Sequence, residues 1–302
     1  MRVSSTIKLS LVAIVFLAAC GSSDASDTSV ALKPKITISS TTDPISETVA
    51  EIYGQALEKA DFRVARKQPF ATGAELMTAL ANGDVQMTGV TSQGLFGVLQ
   101  DPSKTAVPLP NTTSAQAIEI AKLLPSNLKM GTPSTAEDKD VVFCAKTFTD
   151  TNSIATLTDL GTKPGLATLA APEGFDTATP LGGAALKDLY NIDFKSVVTT
   201  PADQALASIN AGTADCGIGR AADPALGVTT VVVLNDDKAL VPNDVILPVM
   251  GGAAATDDVV SVLDETSARL TPDSLRALTS RLKDGATPEI VANEFIGAAG
   301  QG

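Results

Sequence analysis

The sequence predicts an α/β fold in two lobes, each a mainly parallel sheet flanked by helices. Strand-like and helix-like stretches alternate over residues 36–90 and again over residues 141–219, and strand–helix–strand succession is the pattern of a parallel sheet. From Asp257 onward the chain reads as helices opened by Thr or Asp caps, a terminal block of the kind that packs back on a first lobe. Setting aside the first 19 residues leaves 283, enough for one large or two medium domains with a substantial core.

Residues 36–40 alternate as a strand and run into Thr41-Thr42-Asp43-Pro44, a polar turn with helix-capping residues. Over residues 45–59, Val49, Ile52, Tyr53, Ala56 and Leu57 share one face at helical spacing, with Glu47, Glu51 and Glu58 opposite. A strand over 62–67, a helix over 73–81 stopped at Asn82-Gly83, and a strand over 85–90 complete the first unit. Strands follow over 141–146, 165–170, 195–199 and 216–219, with helices over 181–189 and 202–210 between them. Two more strands, 228–234 and 245–250, precede helices beginning near Asp257, Thr271-Pro272 and Thr287-Pro288, the last two with proline in the first turn.

The opening residues read as an export signal. Arg2 and Lys8 give a basic start, residues 9–19 an apolar run, and Leu17-Ala18-Ala19-Cys20-Gly21 a lipobox whose Cys20 would carry the lipid. Eleven apolar residues are too few to span a bilayer, which takes roughly 20. Residues 21–35 are Ser, Asp, Thr and Ala with little to bury, the composition of a flexible tether.

Histidine is absent from all 302 residues, which removes Ser-His-Asp and Cys-His nucleophile systems and most zinc sites. No paired-acid, Ser-x-x-Lys or Gly-x-Ser-x-Gly signature takes their place, so the chain is read as a non-enzyme. Without Arg2 and Lys8 the net charge is −14, which disfavours nucleic acid. No phosphate-cradling glycine loop with its lysine occurs, so no cofactor is expected. Cys144 and Cys216 form an even pair on an exported chain, which favours a disulfide; if they are bonded, their two strands must lie close together.

In doubly wound sheets ligands bind beyond the carboxyl ends of the strands. Here those ends are the loops 39–43, 88–93, 171–177 and 220–223, all polar or glycine-containing. As single loops each could be a solvated turn; together they mark a cleft.

At these positions the chain resembles the glycine betaine/choline/osmoprotectant binding proteins, substrate-binding subunits of ABC importers with the type II periplasmic-binding-protein fold. The resemblance spans nearly the whole exported chain. It rests on Ile36-Thr-Ile-Ser-Ser with Ala50-Glu-Ile-Tyr-Gly-Gln-Ala-Leu-Glu, on Gly73-Ala-Glu-Leu-Met-Thr-Ala-Leu-Ala-Asn-Gly-Asp-Val, on Leu157-Thr-Asp-Leu and on Ala171-Pro-Glu-Gly-Phe. Further matches are Leu186-Lys-Asp-Leu-Tyr-Asn-Ile-Asp-Phe, the stretch from Ala205 to Asp215, Ala222-Asp-Pro-Ala-Leu and Val233-Leu-Asn-Asp-Asp-Lys. Their order carries more weight than any one of them. The resemblance implies two crossings between lobes, near residues 131–136 and 221–225. Lobe I would take residues 35–134 and 223–302, and lobe II residues 135–222, after a signal peptide (1–19) and a tether (20–34). Both cysteines then fall within lobe II on strands the family places side by side. The implied function is capture of a small polar solute between the lobes and its delivery to ABC permease and ATPase subunits. The chain would be a monomer held to the membrane by the lipid on Cys20.

The departures concern the ligand. Betaine binders hold a quaternary ammonium among aromatic rings, yet this chain has no Trp and only Tyr53 and Tyr190, both read as helix core. Thr88 and Thr91 stand where aromatics often follow the third strand, Thr41 and Ala178 or Thr179 where basic residues are common, and Asp138-Lys139-Asp140 where a Tyr often begins a lobe II strand. The expected cleft is hydroxyl-rich: Thr41, Thr42, Thr88, Thr91, Ser92 and Gln93 from lobe I, with Asp140, Phe175, Asp176 and Arg220 from lobe II. Such groups suit a neutral polyhydroxy or phenolic solute, or a zwitterion held by Asp140 and Arg220. Arg220 could clamp the solute with its planar fork, or bridge Asp223 or Asp176 structurally.

Overall fold

The computed structural model describes residues 33–298, apart from 102, 105, 106 and 179. The expected signal sequence, lipidated Cys20 and most of the tether lie outside the described residues, as does Thr179. No helix among the described residues is long and apolar enough to cross a membrane.

The chain opens with β1 (Lys35–Ile38), α1 (Pro44–Lys59), β2 (Arg63–Arg66), α2 (Gly73–Ala81), β3 (Met87–Thr91), α3 (Ser92–Leu99), α4 (Thr113–Leu123) and β4 (Leu128–Met130). It continues with β5 (Asp140–Ala145), α5 (Lys146–Asn152), α6 (Leu157–Gly161), β6 (Thr168–Ala171), α7 (Gly183–Tyr190), β7 (Ser196–Thr199), α8 (Ala205–Asn210), β8 (Cys216–Arg220) and β9 (Val231–Val233). It closes with β10 (Ile246–Gly251), α9 (Asp257–Arg269), α10 (Pro272–Lys283) and α11 (Pro288–Ala298). The two sheets run β2-β1-β3-β10-β4 and β7-β6-β8-β5-β9. Parallel pairing is confined to β1–β3 in one sheet and to β6, β7 and β8 in the other; β10, β5 and β9 pair antiparallel, so each sheet is mixed.

Each lobe has its own core. Helix α1 inserts Val49, Ile52, Tyr53 and Leu57 between one face of the first sheet and the closing block α9–α11. Each such side chain contributes roughly 1.5–3 kcal/mol through burial. On the opposite face α2, α3 and α4 bury Leu76, Leu80, Leu95 and Ile120 against Leu247 and Val249. The second sheet is covered on one side by α6 and α7 through Leu157, Leu160, Leu186 and Tyr190, and on the other by α8. Cys144 and Cys216 face each other across the β5–β8 ladder and are bonded, with a Cα separation of 3.9 Å.

The crossings differ from the expected ones. Residues 131–136 stay with lobe I: Gly131 donates to the Pro248 carbonyl at 2.9 Å and Ser134 to that of Ile246 at 2.7 Å. The second sheet keeps the chain well past residue 223, because β9 closes the open edge of β5 and Leu226, Leu234 and Val241 enter the lobe II cores. The two connections therefore lie side by side at 137–139 and 242–245, joined by the Glu137–Val245 bridge, an Asp138 N–H donated to Asp244 O (3.1 Å) and Lys139 Nζ on Asn243 Oδ1 (2.9 Å). Helix α10 adds a strut, Arg276 Nη1 donating to the Ala221 carbonyl at 3.0 Å and Lys283 pairing with Asp223 at 3.1 Å.

Candidate functional site

The carboxyl ends of β1 and β3 diverge where α1 leaves to one face of the first sheet and α2 and α3 to the other. Side chains cannot fill the sheet edge at such a switch point, and a cavity of about 380 Å³ opens there. Its rim is polar, with Thr41, Asp43, Ser46 and Thr91; its wall is aliphatic, with Ile45, Val49, Leu76, Met77, Leu95, Val98 and Ile246.

Helix starts set the rim. Asp43 caps α1, its Oδ1 accepting the Ser46 N–H at 2.9 Å, and Ser46 Oγ in turn accepts the Thr41 N–H at 3.3 Å. Thr72 and Glu75 cap α2 reciprocally, and Thr91 Oγ1 accepts the Gly94 N–H at 3.2 Å to cap α3. The amino ends of three helices thus border one cavity.

Of the residues expected in the cleft, Thr41 and Thr91 line this cavity. Thr42 is exposed beside it, its N–H donated to the Phe70 carbonyl at 3.0 Å. Three expectations are corrected by burial. Thr88 is 0 % exposed because its strand is covered on both faces; Ser92 is 1 % exposed, accepting the Val245 N–H at 3.2 Å; and Phe175 is 4 % exposed, packed edge-on against Phe194 in the lobe II core. Gln93 is exposed but occupied, its N–H on Asp244 Oδ1 at 2.9 Å and its amide on the Pro242 carbonyl at 3.2 Å. Ser92 and Gln93 therefore tie the second crossing to α3. Asp176 is exposed on lobe II.

Arg220 ends β8 directly opposite Asp140, where β5 begins. Its guanidinium meets Asp138 Oδ2 at 3.0 Å and Asp140 Oδ1 at 3.3 Å; neither Asp223 nor Asp176 is its partner. Burial works against its charge, but the two carboxylates outweigh burial and hold the guanidinium above its ordinary pKa. Asp244 completes this group. Burial raises its pKa, while the Gln93 N–H, Thr91 and the charge of Arg220 oppose the rise and Asp138 adds to it. A carboxylate with a raised folded-state pKa weakens the fold where it is ionised, and the penalty fades as pH falls through that pKa. Asp244→Asn, which keeps an acceptor for Gln93, is therefore expected to melt higher than wild type at pH 7, with the gap closing below about pH 4. A variant that melts lower at pH 7 would contradict this account. No cluster of His, Cys, Asp and Glu suited to a metal occurs among the described residues.

Asp43 entered the sequence reading only as the end of the cleft loop 39–43, and Ser46 escaped it, because Asp43-Pro44 signals a helix start before anything else. The aliphatic wall gave no separate signal at all: Leu76 and Leu95 sit at core spacing.

Residues 34–298 match the family model described as the substrate binding domain of ABC-type glycine betaine transport systems. Among solved structures, a glycine betaine/carnitine/choline ABC transporter protein superposes with a TM-score of 0.74 at 15 % identity, over 88 % of this chain and 98 % of its own. Apo YehZ from Escherichia coli gives a TM-score of 0.73 at 16 % identity, over 88 % and 99 %. At such identities the likeness is one of fold. No curated protein matches the sequence significantly.

Proposed function

We propose that this chain, which belongs to the family of substrate-binding domains of ABC-type glycine betaine transport systems, is an exported lipoprotein, anchored through Cys20, that takes up a small solute between its lobes and delivers it to a membrane permease. The observation that carries this reading is the pair of adjacent connections at 137–139 and 242–245, with a cavity at the β1–β3 switch point of the first lobe. Two bodies with separate cores, linked by two short strands, can rotate about those strands at little cost in packing. A solute touching both lobes favours the closed arrangement by its differential affinity, and that arrangement presents both lobes to the permease. The role is one of binding, with no chemical step.

The test is a thermal-shift screen of compatible solutes, polyols and amino-acid derivatives, followed by small-angle scattering. A true solute should raise the melting temperature by mass action and shrink the radius of gyration. A screen in which no solute does either would favour the alternative of a ligand-free surface scaffold.

Arg220 is the lobe II residue expected to matter most. Because its ion pairs are half-exposed, their loss should cost at most about 1 kcal/mol of stability. Arg220→Ala nonetheless leaves Asp138, Asp140 and Asp244 without their shared guanidinium at the root of the cleft. The variant should stay folded and bind the solute found in the screen more weakly. An unchanged Kd by calorimetry would remove Arg220 from the site.

A further inference from the structure

Resting on the reading of this cleft as a solute site, we infer that the solute is uncharged and mainly hydrocarbon, with a hydroxyl end: its body enters the lobe I cavity and the hydroxyl meets Thr41 and Thr91 on the rim. Three independent features of the cavity lead there.

The first is the wall. Leu76, Leu95 and Val98 offer no acceptor to a cation and Met77 only a weakly accepting thioether, so a charge moved from water against this wall loses its hydration with little compensation. Aromatic faces could compensate through cation–π attraction, but none of the described residues that line the cavity is aromatic. Nor can a tyrosine swing in. Tyr53 is fully buried with its hydroxyl 2.8 Å from Ser267 Oγ, and Tyr190 is buried in lobe II with its hydroxyl on Asp236.

The second is the charge at the rim. No Lys or Arg among the described residues lines the cavity, so the carboxylate of a betaine would meet no basic side chain among them. Among the described residues the one lining carboxylate, Asp43, is exposed to solvent and already caps α1 through Oδ1. A solvated carboxylate already committed to a helix cap adds little to the binding of a cation.

The third is the field. The amino ends of α1, α2 and α3 carry partial positive charge toward the cavity, which disfavours a trimethylammonium there and leaves a neutral hydrocarbon indifferent, while the Ser46, Glu75 and Gly94 N–H groups that could hold an anion are already taken by the caps Asp43, Thr72 and Thr91. The rim hydroxyls can each still exchange a hydrogen bond with a hydroxyl of the solute.

A pair of isosteres isolates the one variable in question. Choline and 3,3-dimethyl-1-butanol have nearly the same shape and the same hydroxyl, differing by a quaternary nitrogen in place of a quaternary carbon. Calorimetry on the folded chain should show the alcohol binding at least about tenfold tighter, a difference near 1.4 kcal/mol. Val98→Asp, on the half-buried wall, should reverse the order by supplying an anion. Equal or tighter choline binding to the unaltered chain overturns the ligand class but leaves the solute cleft standing. Silence from both probes also overturns the ligand class, and the broader solute screen then judges the cleft on its own.

Discussion

Replacing both bonded cysteines, Cys144→Ala with Cys216→Ala, is expected to lower the melting temperature by about 10 °C, with lobe II the part that melts first. The bond closes a loop of 72 residues, which takes in β6, β7 and the helices α5–α8 that cover the second sheet. In the chain-entropy account a loop of that length restrains the unfolded state by about 4 kcal/mol, against a total stability of about 5–15 kcal/mol for an ordinary domain. The geometry adds a functional consequence. Cys144 and Cys216 sit on the same ladder that ends, four residues on, in the Asp140–Arg220 pair at the root of the cleft. Loosening that ladder frees the lobe II side of the hinge as well as the core. Both sulfurs are fully buried, so a reductant alone should act slowly on the folded chain, and the alanine pair is the cleaner test. A double variant whose melt lies within about 2 °C of wild type would show that the bond restrains nothing the fold does not already restrain.

The parts of this fold legible in the sequence are those set by local chemistry. The 3.6-residue spacing of Val49, Ile52, Tyr53 and Leu57, the Asp43-Pro44 start and the Asp257, Thr271 and Thr287 openings are properties of a few neighbouring residues, and the elements follow them. What depends on a partner layer was not legible. Val231–Val233 reads as a strand in either lobe; only its pairing with Phe143 to Ala145 decides that it belongs to the second, and so moves the crossing to 242–245. The same limit governs the site. Strand ends are visible as polar turns, which brought Thr41 and Thr91 forward. Whether a hydroxyl at such an end faces a cleft or the opposite layer is a matter of what packs on it, and Thr88 and Ser92 are packed. A hydroxyl-rich cleft on paper therefore becomes an aliphatic cavity with a thin polar rim.

Gly89 shows how tightly that cavity is tied to the fold, and Gly89→Ala is expected to cost about 1–3 kcal/mol and to weaken solute binding at the same time. The residue lies in β3 on the cavity lining, where α1 approaches so closely that an added Cβ would come within 2.4 Å of Val49 Cγ1 and 3.1 Å of the Tyr53 ring. Neither neighbour can give way cheaply. Val49 is β-branched and 3 % exposed, with few rotamers open to it in a helix. Tyr53 is wedged against the α9 hydroxyl of Ser267. Relief must come from α1 moving off the sheet, against the α9–α11 block behind it, and that motion shifts Ile45 and Ser46 on the cavity rim. Gly97→Ala is the matched control. It sits on the exposed side of α3 with nothing within 4 Å of the added methyl, and alanine there should be neutral or stabilise by roughly 0.5–1 kcal/mol. Denaturant melts and solute titrations on the two variants decide the matter. If Gly89→Ala behaves like Gly97→Ala in both, α1 does not seat on β3 as described, and the cavity between them loses its wall.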